Sequence, residues 1–254
     1  MARFRTRAAL ALVCAALAAA PAAAATDEPL PRVEDALCPG VMGIATDSAL
    51  QILDRVRYNA ERLGIALGDP EDCKLNLVIA FVDDGQDFVG SLMHSEPRLF
   101  ETLTLTEKQQ LREARGPALA WNIVATRTRD GMIVTRRENL TQIPQASMWS
   151  AHSKIYTATR QDIVSSVVVF SGRQVSGMTT TQLADYASMR SFAADYAAHP
   201  GRQGTILALF EDGSSRPAEL TETDLSFLKT LYSGIANLPG RAKQRSIEQE
   251  LGEG

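Results

Sequence analysis

Histidine and cysteine are scarce, at three each in 254 residues. His94, His152 and His199 stand far apart in sequence, so a histidine-based metal centre would need the fold to bring all three together. Also missing are a Gly-x-Ser-x-Gly nucleophile elbow, a phosphate-cradling glycine loop and a dinucleotide-binding fingerprint. These absences set aside the common serine-hydrolase, nucleotide-hydrolase and dinucleotide-dependent classes. There is no basic patch suited to nucleic acid, no internal repeat and no long low-complexity linker. Beyond residue 20 no stretch is apolar enough to cross a bilayer, which takes roughly 20 apolar residues.

The amino-terminal residues do carry a signal. Arg3, Arg5 and Arg7 precede an apolar run from Ala8 to Ala20, and Ala22 to Ala25 form a small-residue cleavage region. Residues 1–25 are therefore expected to be a bacterial secretory leader, and the exported chain to be a soluble periplasmic or secreted protein with no membrane span. Lipid attachment at Cys14 would want a small residue just before it, where Val13 stands. Cleavage leaves Cys38 and Cys73, which in an oxidising compartment pair most simply as a disulfide. Losing the three leader arginines leaves 23 basic against 30 acidic residues, a net charge of −7. The remaining length suits one domain with a full core.

The pattern predicts a single α+β domain over residues 47–235, with a mixed sheet and packed helices. An irregular arm precedes it at 26–46 and a charged tail follows at 236–254. Ala49, Leu53, Val56, Ala60 and Leu63 recur at helical spacing between Asp47 and Leu63, before Gly64. Leu75 to Val82 and Ile163 to Phe170 are branched apolar runs that read as buried strands. Pro97 to Ala114 reads as helix in two pieces, the second starting at Thr106. Arg129-Asp130-Gly131 between Ala120–Thr128 and Met132–Arg136 predicts a hairpin, and residues 139–153 are polar and irregular. Thr179 and Gln182 have capping-box spacing at the head of a helix whose apolar stripe is Leu183, Tyr186, Met189, Ala193 and Tyr196, ended by Pro200 and Gly201. Thr205 to Phe210 is short and apolar, and a last core helix runs from Thr221 to Tyr232, with Asp224 in its first turn. The end from Arg241 to Gly254 reads as loose helix or disorder.

The order of helix, strand, hairpin, strand, helix, turn and final helix, together with Leu220, Thr221, Asp224, Leu228, Leu231 and Tyr232, resembles the metzincin-like zincins. More narrowly, it resembles an exported bacterial family in which the active-site helix has lost its ligands. The resemblance implies a zincin-like α+β scaffold. In that family the helix supplies zinc-binding histidines and a glutamate base. Here Thr181 falls at the first histidine, Gln182 at the glutamate, Asp185 at the second histidine, Ser188 at the glycine and Ser191 at the last ligand. An amide cannot take a proton from water near neutral pH, and one carboxylate falls short of the three protein ligands of a catalytic zinc. No metal or other cofactor is expected.

The same residues have a plain structural account: Thr179 and Gln182 as a helix cap, Asp185 favoured by the helix dipole, Tyr186 and Met189 as core. Asp83, Asp84 and Asp87 cluster around Gly85, but a calcium loop wants more ligands and a closing glutamate, so a solvated turn is expected. Trp121, Trp149 and Tyr156 are candidates to line a groove for a peptide or glycan, although core packing explains Trp121 equally well. The leading expectation is a non-catalytic binding or assembly protein of the cell envelope. The alternative is an envelope hydrolase with a non-zinc site using Asp185 and His152, and a purely structural subunit is a third reading.

Overall fold

A computed structural model describes residues 27–134, 155–194, 204–211 and 216–252. The expected leader with Cys14, the polar stretch at 139–153 with Trp149 and His152, and Tyr196, His199, Pro200 and Gly201 all lie outside the described residues.

Four strands form one mixed sheet in the order β1-β2-β4-β3. They are β1 (Pro39–Met42), β2 (Leu77–Val82), β3 (Ala118–Thr128) and β4 (Thr159–Ser171). β1, β2 and β4 run parallel, and β3 is the antiparallel edge strand. Six helices among the described residues accompany them: α1 (Thr46–Arg62), α2 (Gly85–Ser95), α3 (Leu105–Glu113), α4 (Thr180–Phe192), α5 (Glu222–Tyr232) and α6 (Gly240–Gly252). Short 3-10 turns occupy Pro97–Phe100 and Ile206–Phe210. The fold is α+β with a mixed sheet, as the sequence pattern predicts.

Central parallel strands are covered on both faces, which is why β2 and β4 read as continuous apolar runs rather than alternating ones. Leu77, Ile79 and Phe81 of β2, with Val168 and Phe170 of β4, face a core shared with α1, α4, α5 and α6. Ala80, Val167 and Val169 face the opposite way, toward Val89, Phe100, Leu119 and Trp121 under α2 and α3. Phe170 stacks on Phe81 at 5.1 Å between ring centroids, and Tyr186 meets Phe210 edge-on at 4.9 Å. Gly43 closes β1 at φ 81°, where an added Cβ would lie 2.0 Å from the Phe81 carbonyl oxygen, so only glycine fits.

Several elements differ from the sequence expectation, each for a local reason. The turn expected at Asp83-Asp84-Gly85 is the start of α2: the Asp84 carboxylate accepts from the Gln86 and Asp87 backbone N–H groups. α3 begins at Leu105, one residue earlier than Thr106, because Thr104 and Glu107 form a reciprocal capping box. The hairpin turn at Asp130-Gly131 is present, with Thr128 N–H donating to the Met132 carbonyl and Val134 N–H to that of Thr126. Of the expected return strand, residues 135–136 lie outside the described residues. The charged segment after Arg241 is not loose: α6 buries Ile247 in the main core, and Lys243 donates from Nζ to the carbonyls of Thr230 and Ser233 at the end of α5.

The arm before β1 is tied down along its length. Arg32 bridges Asp162 through the backbone and sends its guanidinium to the carbonyls of Leu231 and Gly234. The Tyr232 hydroxyl accepts from Val33 N–H and donates to the Phe192 carbonyl. Cys38 is bonded to Cys73 with Cα atoms 5.9 Å apart, closing a loop across α1. Reducing this bond, or changing both residues to Ser, is expected to lower stability by about 3 to 4 kcal/mol in the chain-entropy model. Urea unfolding with and without reductant measures the effect, and an unchanged midpoint would contradict it.

Candidate functional site

α4 carries the residues that the sequence singles out. It starts with the expected capping box between Thr179 and Gln182, and from Leu183 to Met189 every side chain is buried. A helix buried on all sides is ordinarily apolar all round. This one holds Asp185, Ser188 and Ser191, groups that are costly to bury without a partner; the Ser191 hydroxyl has none among the described residues.

Asp185 has none of its surface exposed. Arg55 of α1 donates to it from Nε at 2.8 Å and from Nη2 at 2.7 Å, a bidentate pair. Asn59 Nδ2 reaches Oδ1 at 2.7 Å, and the Leu220 backbone N–H reaches Oδ2 at 2.8 Å. The carboxylate thereby ties α4 to α1 and to the segment entering α5. Ser188 accepts from Asn59 and donates to the Ala184 carbonyl, and the Ser191 carbonyl accepts from Ser166. Gln182 donates to the Pro217 carbonyl, and Thr181 is half-buried beside it.

The donor set does not fit a zinc ion. Both oxygens of Asp185 are held by nitrogen donors, and Thr181, Gln182, Ser188 and Ser191 offer only hydroxyls and an amide. Among the described residues no group of three His, Cys, Asp or Glu is arranged to hold a metal. His94 is exposed in the last turn of α2. His152 lies outside the described residues, so only Asp185 of the pair His152 and Asp185 is placed. Asp83, Asp84 and Asp87 form no such group, and Asp84 is spent as the cap of α2.

Asp224, in the first turn of α5, is the second fully buried carboxylate of this region. Its Oδ2 accepts from Ile206 N–H, Thr221 N–H and the Thr221 hydroxyl, while Oδ1 has no partner among the described residues. Burial pushes this carboxyl above the ordinary carboxylate range, bonds from Thr221 and Ile206 work against that rise, and the charge of Asp185 adds to it.

A more enclosed opening lies elsewhere. A groove of about 850 Å³ runs along the outer edge of β3, between that strand, α3, the arm at Glu28–Pro31 and the end of α4. None of Thr181, Gln182, Asp185, Ser188 or Ser191 lines it, nor does any of them line two shallower hollows on the surface. Trp121 does line it, though only 5% exposed, with its indole N–H donated to the Leu99 carbonyl. Tyr156 is partly exposed away from the groove, and Trp149 lies outside the described residues.

Register shows what β3 offers there. Ser171 N–H bonds to the Pro117 carbonyl, and pairs of bonded residues alternate in an antiparallel ladder, so Leu119 and Trp121 direct their backbone groups to β4. Ala118, Ala120 and Asn122 therefore direct theirs outward, to the groove. Ser166 N–H bonding to Asn76 on the far side of β4 agrees with that phase. Among the described residues these outward groups have no backbone partner. The Ala120 carbonyl accepts instead from Arg190 Nη2 at 3.2 Å, and Asn122 Nδ2 donates to the Arg190 carbonyl at 3.1 Å. Sequence reading found Trp121 but missed Asn122 and Arg190, because nothing in a linear pattern sets the end of α4 beside an edge strand 68 residues earlier.

No protein-family model, no curated protein and no solved structure matches the chain.

Asp185→Ala leaves Arg55, Asn59 and the Leu220 N–H without their shared acceptor, and is expected to cost about 3 kcal/mol or more in denaturant unfolding. A cost below about 1 kcal/mol would contradict the role given to that carboxylate. For Asp224, a raised native pKa means that the folded state holds its proton more tightly. Its favourable contribution is complete below the ordinary carboxylate pKa of about 3.9 and is lost as pH rises through the raised value. Wild type should therefore lose stability over that window relative to Asp224→Asn, which cannot ionise, and a pH-independent difference would contradict this.

Proposed function

We propose that the protein is an exported, non-catalytic binding protein of the cell envelope, and that its ligand is an extended peptide laid along β3. The observation that carries this reading is the outer edge of β3 at Ala118, Ala120 and Asn122, whose outward groups have no backbone partner among the described residues and face a groove large enough for a chain segment. An extended peptide adds to such an edge through main-chain hydrogen bonds, and pockets beside the strand select its side chains. Leu103, Leu111, Leu119 and Trp121 supply apolar surface on one side, and Ala118, Ala120 and Val124 on the other. A glycan fits less well, because the floor offers a row of backbone groups at strand spacing and no exposed aromatic face.

Export is supported by the leader-like first 25 residues and by the Cys38–Cys73 bond, which suits an oxidising compartment. No helix among the described residues is long and apolar enough to cross a membrane. The metzincin-like resemblance enters as a scaffold. It is supported by an antiparallel edge strand, a following buried helix, a short turn and a last core helix in that order. The non-catalytic part rests on Asp185, whose lone pairs are already taken by Arg55, Asn59 and Leu220.

Backbone hydrogen exchange tests the reading. In the free protein the amides of Ala118, Ala120 and Asn122 should exchange faster than those of Leu119 and Trp121. A bound extended peptide should slow the former by at least ten-fold and leave the latter unchanged. Protection with no such alternation would refute strand addition. Stoichiometric zinc together with chelator-sensitive peptidase activity in the purified protein would refute the non-catalytic reading.

A further inference from the structure

Arg190 is half-buried in the last turn of α4 and lines the groove. That position is favourable for a cation, since the carboxyl end of a helix is partly negative. One donor, Nη2, is bonded to the outward carbonyl of Ala120. Its charge is not met in the way of four other half-buried or buried arginines, although half-buried Arg57 also has no ion pair among the described residues. Arg32 pairs with Glu34, Arg55 with Asp185, Arg127 with Asp35, and Arg160 with Asp162. Among the described residues no carboxylate lies within ion-pair distance of Arg190. A guanidinium has five N–H donors in a planar fork that suits the two oxygens of a carboxylate.

We infer that Arg190 is the specificity-determining residue of the groove and binds the carboxyl-terminal carboxylate of an extended peptide, an inference that rests on the peptide-binding reading above. The open edge has a direction. Met132–Val134 already pair with β3 at Thr126–Thr128, so among the described residues the outward groups without a backbone partner run from Ala118 toward Val124, with Arg190 beside Ala120. A peptide whose end lies at Arg190 then runs antiparallel to β3, with its last few residues along the free edge at about 3.4 Å each. The charge around the rest of the groove favours a chain end over an acidic side chain. Glu28 and Glu107 line the same opening and repel further carboxylates, so the negative charge best accommodated is the one that register delivers to Arg190. The same two residues favour lysine or arginine upstream in the peptide.

The test uses the exported full-length chain and two random hexapeptide pools, one with free carboxyl termini and one amidated, both acetylated at the amino terminus. Retained peptides are quantified by mass spectrometry. The free-acid pool should be retained at least ten-fold over the amidated pool, with Lys and Arg enriched upstream. Arg190→Gln should abolish that preference while keeping the amidated pool's weak retention, and Arg190→Lys should restore part of it. Ala120→Pro removes an outward N–H from an edge position that tolerates proline, and should reduce retention of both pools. Thermal unfolding confirms that each variant is folded, and if Arg190→Gln is not, the acid-to-amide ratio on wild type decides. Equal retention of the two pools would overturn the carboxylate anchor and leave peptide binding standing. Retention of neither would overturn both. Retention that appears only after residues 135–154 are replaced by a Gly-Ser linker would show that the groove serves the chain's own segment, which also overturns the inference.

Discussion

A carboxylate with no water around it must be satisfied by the protein, and the arrangement of helices on one face of the sheet follows from how Asp185 is satisfied. Its four acceptor contacts come from α1 and from the backbone just before α5. α4 therefore has one allowed rotation: turned by one residue, a charge would face Phe170 and Phe210, and Arg55 would be left without its fork. Buried ion pairs add little net stability compared with apolar packing, yet removing one member is costly. Here the pair fixes orientation, while Tyr186, Met189 and Phe192 supply the burial.

A second set of charges does similar work around Asp162. Arg127 and Arg160 meet on the buried Asp162, and each also reaches into the arm, Arg127 to Asp35 and Arg160 to Glu34. Arg32 links the arm to the end of α5, and Tyr232 links it to the end of α4. Residues 27–37 are thus fastened by polar bonds to β4, α4 and α5, and Pro29 to Pro31 become a wall of the groove. The groove exists because that arm and α3 stand on either side of an edge strand that the arm does not cover.

Much of the fold was legible in the sequence. Branched runs at Leu75–Val82 and Ile163–Phe170, helical spacing in α1, the Asp130-Gly131 turn and the Thr179 and Thr221 caps are local signals, and each is decided by residues within a few positions. The missed elements were also local, but ambiguous. Asp84-Gly85 is equally good as a turn or as a cap, and α2 settles it by packing Val89 against β3 and β4. α6 is charged on most of its surface, so only Ile247 and the capping bonds of Lys243 mark it as part of the core.

The site was hardly legible, for a physical reason. Sequence by itself determined the scarcity of histidine, the amide and hydroxyls at Thr181, Gln182, Ser188 and Ser191, and hence what chemistry that helix cannot supply. It also marked Trp121 as either core or groove lining. Only tertiary structure decided that Asp185 is spent on Arg55 and that β3 is the sheet edge. It alone set Arg190 beside the outward carbonyl of Ala120. Strand order and helix packing are long-range outcomes of burying apolar faces together, and no local pattern encodes which strand ends the sheet or which charges the fold brings together.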